Sequence, residues 1–169
     1  GDSALVRKGL CRLNFLDSYF KESLKHCRRA FELDPNDVSS AVLYARTQYD
    51  NQQRKEALAS LDTLTSKFPK AAFAFRARGI IYFQEKSYEQ ALQDLGIAFG
   101  LAPRDDEAGV HLARTEFALG HYEQALPVYI EVVKLDRRFR FELASKQREL
   151  NRKNQPSLAA LYQKAVDRL

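Results

Sequence analysis

The stretch AFAFRARGIIYFQEKSYEQALQDLGIAFGLAPRD, residues 72–105, decides the fold. Its first half sets Phe75, Arg78, Gly79 and Tyr82 at i, i+3, i+4 and i+7, which is one face of a helix. Its second half aligns Ala91, Leu95 and Ala98 in the same way. Ala102-Pro103-Arg104-Asp105 ends the stretch, because proline stops a helix and Asp caps the next one. Small residues such as Gly79 let paired helices approach closely, and one pair alone cannot bury its apolar face.

The pattern recurs every 34 residues in both directions. Ala91 is preceded by Ala57 and Ser23, Ala98 by Leu64 and Ala30, and Pro103 by Pro69 and Pro35. Further along come Ala113, Tyr122, Ala125, Tyr129 and Val132, with Arg137 where proline is expected. Four repeats therefore occupy residues 4–37, 38–71, 72–105 and 106–139. The large, small and aromatic positions resemble those of the tetratricopeptide repeat family. That resemblance implies an all-α fold, a right-handed superhelical solenoid of antiparallel helix pairs running through residues 1–169.

Residues 140–169 fit less well. Tyr162-Gln163-Lys164-Ala165-Val166 resembles the second helix of a repeat shifted by one residue, and a first helix is expected over roughly 138–151. Pro156 suits the first turn of the last helix, where its missing N–H is no loss. The segment reads as a degenerate fifth helix pair that caps the array, or as an array cut short where an Asp-Pro turn would follow Leu169. With no methionine, the chain is expected to begin inside a longer or processed protein. Cytoplasm is the expected compartment for the chain as written, and periplasm if it is part of a secreted protein. Pro127 falls inside the second helix of the fourth repeat and is expected to bend it.

Composition excludes other classes. The 169 residues are 45% hydrophobic and 29% charged, with seven glycines and five prolines, against disorder, collagen or a disulfide scaffold. No apolar run approaches a membrane span. The net charge is +5, but Lys134 to Leu169 holds ten basic and four acidic residues and so carries +6, leaving −1 for the rest. Cys11 and Cys27 fall in the small and the aromatic packing slots of the first repeat and read as buried small hydrophobes, in preference to a disulfide. His26, His111 and His121 make no metal spacing, with His121 placed in a solvated turn. Asp105-Asp106-Glu107 opens a helix, where negative charge offsets the macrodipole. No phosphate loop or catalytic triad is present, so neither an enzyme nor a cofactor or metal is expected.

On the first helix of each repeat, the positions not needed for pairing are expected to face inward. Two ladders run there at the 34-residue step. One is Arg12, Arg46, Ile80, Arg114, with Lys8 and Arg76 adding charge one turn earlier; the other is Phe15, Tyr49, Phe83, Phe117. The family resemblance implies a concave groove that binds peptides. Arginine gives bidentate contacts to carboxylates and aromatic rings add apolar area, so the expected partner is an acidic, partly hydrophobic protein segment. The family's clamp for chaperone C-terminal carboxylates fails here: Lys8 matches, but Arg12, Leu43, Phe73 and Ala77 occupy its other positions.

Two further readings stand beside this one. The basic end, with Arg137, Arg138, Arg140, Lys146, Arg148, Arg152 and Lys153, could meet nucleic acid or an acidic polysaccharide, although Glu142 and Glu149 interrupt it. Alternatively, the chain is an assembly segment of a longer repeat protein in a bacterial envelope or secretion complex, with further repeats at either end.

Overall fold

The computed structural model describes residues 2–169, and among these the secondary structure is all helical. Ten α-helices follow in pairs: α1 (Ala4–Leu16) and α2 (Phe20–Leu33), α3 (Val38–Asp50) and α4 (Arg54–Lys67), α5 (Ala72–Gln84) and α6 (Tyr88–Leu101), α7 (Asp106–Ala118) and α8 (Tyr122–Leu135), α9 (Arg140–Arg152) and α10 (Pro156–Arg168). A 3₁₀ turn, Arg137–Phe139, precedes α9. First helices thus start at 4, 38, 72, 106 and 140, and second helices at 20, 54, 88, 122 and 156.

The fifth pair keeps the 34-residue phase that its side chains obscure. Ala159 is buried one repeat after Ala125, in register. Beyond it Tyr162 and Ala165 are buried where Tyr129 and Val132 would call for 163 and 166. The expected one-residue shift therefore belongs to the packing face of α10 and not to the helix start.

Both ends of the first helices are locally determined. Ser3, Asp37 and Asp105 accept hydrogen bonds from the amides of Val6, Ser39 and Ala108, satisfying donors that a helix start leaves unpaired. Each first helix then closes on a residue in the left-handed region: Ser18, Gln52, Lys86, Gly120 and Asn154, with φ between 57° and 83°. The following amide donates back five positions, as in Tyr19 to Asn14 O (2.8 Å), His121 to Glu116 O (2.9 Å) and Gln155 to Leu150 O (3.0 Å). These are Schellman turns, for which glycine is the unstrained choice, yet glycine stands only at position 120.

The chain falls into two compact units, residues up to Ile81 and Tyr82–Leu169. In the first, Ala41, Ala45, Ala57, Leu61, Ala74, Ala77 and Ile81 form the core. In the second, Ala113, Phe117, Tyr129, Val132, Leu143, Leu150 and Tyr162 do so. Helix α8 runs through Pro127 without a break. Gly109 is required by close approach, since a Cβ there would lie 2.6 Å from Val132 Cγ2 and 2.8 Å from Phe99 Cε2.

The cysteines correct an expectation. Cys11 and Cys27 are buried in the packing slots, but they are joined as a disulfide between α1 and α2. Their Cα atoms lie 5.0 Å apart, within bridging distance. The physical reason is proximity, since the pairing of α1 with α2 brings the two slots within bridging reach. The slot of Cys27 holds Leu61, Leu95 and Tyr129 in the next repeats, and two sulfur atoms fill the room that a large side chain occupies there.

Candidate functional site

In the first unit, the predicted residues have distinct surroundings. Lys8 donates to Asp37 Oδ2 at 2.7 Å, tying α1 to the start of α3. Burial would push the Asp37 carboxyl up, but hydrogen bonds from Lys8, Ser40 and Ser39 outweigh it and hold the group well below the usual carboxylate range. Lys8 is thus engaged in structure. Arg12 is exposed, and the half-buried Arg46 guanidinium stands 5.5 Å from the centre of the Phe15 ring, which meets Phe20 edge-on. Tyr49 and Arg76 are half-buried. Desolvation raises the Asp50 carboxyl, and the nearby Arg46 charge offsets this only in part.

The second unit brings the predicted residues together more closely. A groove of about 500 Å³ is lined by Phe83, Arg114, Phe117, Ala118, Glu142, Ser145, Lys146, Glu149 and Lys153. Helix α7 supplies Arg114 and Phe117, three residues apart and so on one face, while α9 supplies Glu142, Ser145, Lys146 and Glu149, with Lys153 at its C-cap. Arg114 donates through Nε and Nη2 to the two carboxylate oxygens of Glu142, at 2.7 and 2.6 Å. This is the bidentate pairing that was expected for a partner's carboxylate, made instead within the chain. Tyr129 donates to the same Glu142 at 3.2 Å, and burial raises its phenol far above its usual range, so it stays a donor.

Phe117 is only 2% exposed, so its ring forms the floor of the groove. Lys146 Nζ stands 4.4 Å and Lys153 Nζ 5.3 Å from the ring centre. Both ammonium groups also reach Glu149, at 3.1 Å each. Burial would raise the Glu149 carboxyl, but Lys153 and Lys146 overcome it and lower the group. Phe83 remains half-buried at the rim, packed on Tyr88 and edge-on to His111. Three cations against two carboxylates leave the lining with an excess of one positive charge.

Sequence reasoning assigned Lys146 and Lys153 to a basic end and Glu142 and Glu149 to its interruptions. The structure places all four in the groove of Arg114 and Phe117. The signal lay in the spacing 142, 146, 149, 153, a single helical stripe. The rest of the basic end divides. Arg138 is held by Asp136, and Arg140 donates to the carbonyl of Val166 at 3.2 and 2.9 Å, fastening α9 to α10. Arg137, Arg148 and Arg152 are exposed. Arg148 is the next rung of the Arg12 ladder, one repeat beyond Arg114.

Comparison with known proteins bears on the repeat fold. Two profiles described as tetratricopeptide repeat match residues 43–105 and 108–139, together more than half of the chain. Superkiller complex protein 3 of Mus musculus is 29% identical over 111 residues, and that of Homo sapiens 30%; the match covers 64% of this chain but 7% of each relative. The chain thus spans a small part of the length of the curated relatives it matches. Among solved structures, pilF of Pseudomonas aeruginosa superposes with a TM-score of 0.79 at 17% identity, covering 98% of this chain and 75% of that one. MamA from Desulfovibrio magneticus RS-1 gives 0.75 at 19% identity, covering 100% and 96%. These likenesses establish the shared fold of adjacent helix pairs. Such repeats mark a protein–protein interaction scaffold, and proteins of this fold are generally non-enzymatic. Among the described residues no helix is long and apolar enough to cross a membrane. The chain belongs to the tetratricopeptide repeat family.

Proposed function

We propose that this tetratricopeptide repeat chain is a scaffold that holds an acidic, partly hydrophobic segment of a partner protein, and that the groove between α7 and α9 is the seat. The observation that carries this reading is the placement of Lys146 and Lys153 over the Phe117 ring beside Arg114. Each ammonium already shares Glu149, so an incoming carboxylate exchanges one partner for another without stranding a charge. Half-buried Phe83 offers apolar area next to these cations. In the first unit, Arg46 over Phe15 repeats the pairing of cation and aromatic ring on a smaller scale. The curated relatives' name, superkiller complex protein, supports a role inside a multiprotein assembly.

The test uses fluorescence anisotropy with a labelled peptide that alternates Asp and Glu with Leu and Phe. Lys146→Glu combined with Lys153→Glu is expected to weaken binding at least tenfold while helicity is retained. Arg114 is unsuitable for this purpose because reversing it would break the pair with Glu142. If the double variant binds the peptide as well as the parent chain, the groove reading fails. A steep loss of binding with salt that tracks Arg137, Arg148 and Arg152 instead would favour the basic end.

A further inference from the structure

Helix α1 carries a face that no described element covers. Val6 and Leu13 are 52% and 59% exposed. One repeat later the same positions are Ser40 and Thr47, then Ala74 and Ile81, then Ala108 and Thr115, none more than 2% exposed. In α3 the cover comes from α2, whose Ser23 Oγ and Cys27 Sγ lie 3.4 and 3.3 Å from Thr47 Oγ1. On α1, Leu5, Leu10 and Leu16 extend the uncovered face, at 79%, 36% and 68% exposure.

The chemistry of the face tells what fits it. The covered positions of later repeats are mostly small or hydroxyl-bearing, suited to a second helix of the α2 kind. Val6, Gly9, Leu13 and Leu16 are instead spaced 3, 4 and 3, the spacing of a seam between two helices of like kind. The side turned to its own molecule is the opposite one, where Cys11 is bonded to Cys27 and Lys8 to Asp37. Gly9 sits in mid-seam, and a Cβ there would meet nothing within 4 Å. Glycine inside a helix is destabilising relative to alanine, and here it leaves room for a second backbone.

We propose that this face pairs with the same face of a second copy of the chain, as a parallel two-fold helix pair along α1. An apolar seam of Val6, Leu13 and Leu16 about Gly9 is complemented by another such seam. The outer side of α10 does not offer one: Ala160, Gln163, Lys164 and Asp167 are exposed there, with Leu161 alone. Charge fixes the direction. Arg12 and Asp17 are exposed, flank the seam on opposite sides and lie five residues apart, the offset that joins opposite charges across a parallel pair. In an antiparallel pair the Arg12 residues of the two copies would share one flank. One thirteen-residue helix per copy falls short of the roughly 800 Å² per partner of a standard interface, so the dimer is weak and reversible. The pairing is independent of the groove reading.

Sedimentation velocity on the whole chain, from about 5 to 500 µM, tests this. The weight-average sedimentation coefficient is expected to rise from monomer toward dimer over that range. Leu13→Glu, at an exposed position and with helicity checked by circular dichroism, is expected to stay monomeric at the highest concentration. Arg12→Asp and Asp17→Arg are each expected to weaken the dimer at least threefold, and the double variant to restore it. A parent chain that remains monomeric at about 500 µM overturns the proposal. A dimer indifferent to Leu13→Glu overturns it as well. A Leu13-dependent dimer that the double charge swap fails to restore overturns the parallel arrangement.

Discussion

Cys11 and Cys27 in the first repeat stand where Ala113 and Tyr129 stand in the fourth, and the two pairs solve one packing problem by different means. In the fourth repeat a fully buried tyrosine fills the space and spends its hydroxyl on Glu142, which also receives Arg114. In the first, a covalent bond joins the helices and leaves the volume to sulfur. The repeat thus prescribes how much room is filled at a slot and is indifferent to the kind of bond that fills it. The difference has a second side. Tyr129 belongs to a core that draws on α7, α8, α9 and α10, whereas the cysteines secure a pair whose α1 has an uncovered outer face.

Four measurements would break or sharpen this contrast. Tyr129→Ala should be the most damaging, at about 3–5 kcal/mol, because it opens a cavity and strips Glu142 of a partner. Urea unfolding followed by hydrogen exchange should place the loss in α7 to α10, and an equal loss in α1 and α2 would contradict separate cores. Cys11→Ser with Cys27→Ser should come next, at about 3 kcal/mol for a loop of this length, with the loss confined to the first unit. If the reduced and oxidised chains melt alike, the covalent bond is not what secures α1.

Smaller effects follow from the helix ends. Asp37→Ala removes a cap and the partner of Lys8 and should cost about 1–2 kcal/mol. The folded Asp37 carboxyl lies below its ordinary value of 3.8, so its contribution is fully present above about pH 5. It fades as the pH falls below 3.8 toward the folded value. The parent chain should therefore lose more stability in acid than Asp37→Ala does, as thermal melts at pH 7 and pH 3 would record. Least of all, Gly120→Ala should cost about 1 kcal/mol in the left-handed turn, while Lys86→Gly should be neutral or slightly stabilising.

The helices were legible because their starts obey one period that Ala57, Ala91, Ala125 and the prolines announce in the sequence. The groove was legible only along its α7 side. Arg114 and Phe117 stand on a ladder, but Glu142 lies 28 residues from Arg114, and no helical spacing links residues on neighbouring repeats. Charge counted along the chain merged Lys146 with Arg138, although one leans over Phe117 and the other holds Asp136. The disulfide was illegible for a different reason, since a packing slot accepts two thiols or a cystine equally well until the Cα distance is known. The left-handed corners did leave a trace, in Gly120 and Asn154 one repeat apart, and only Schellman geometry extends it to Ser18, Gln52 and Lys86.

Those corners have a practical consequence. Their hydrogen bonds are made by the backbone, and the residues that occupy them are exposed, four with side chains and one a glycine. Whatever is attached at such a position leaves every core contact in place. Ser18 and Gln52 in one unit, and Lys86 and Asn154 in the other, are therefore ready-made attachment points at equivalent positions of their repeats. A pair of spectroscopic labels on Lys86 and Asn154 would turn the repeat's own turn geometry into a gauge of how firmly the second unit holds its helix pairs.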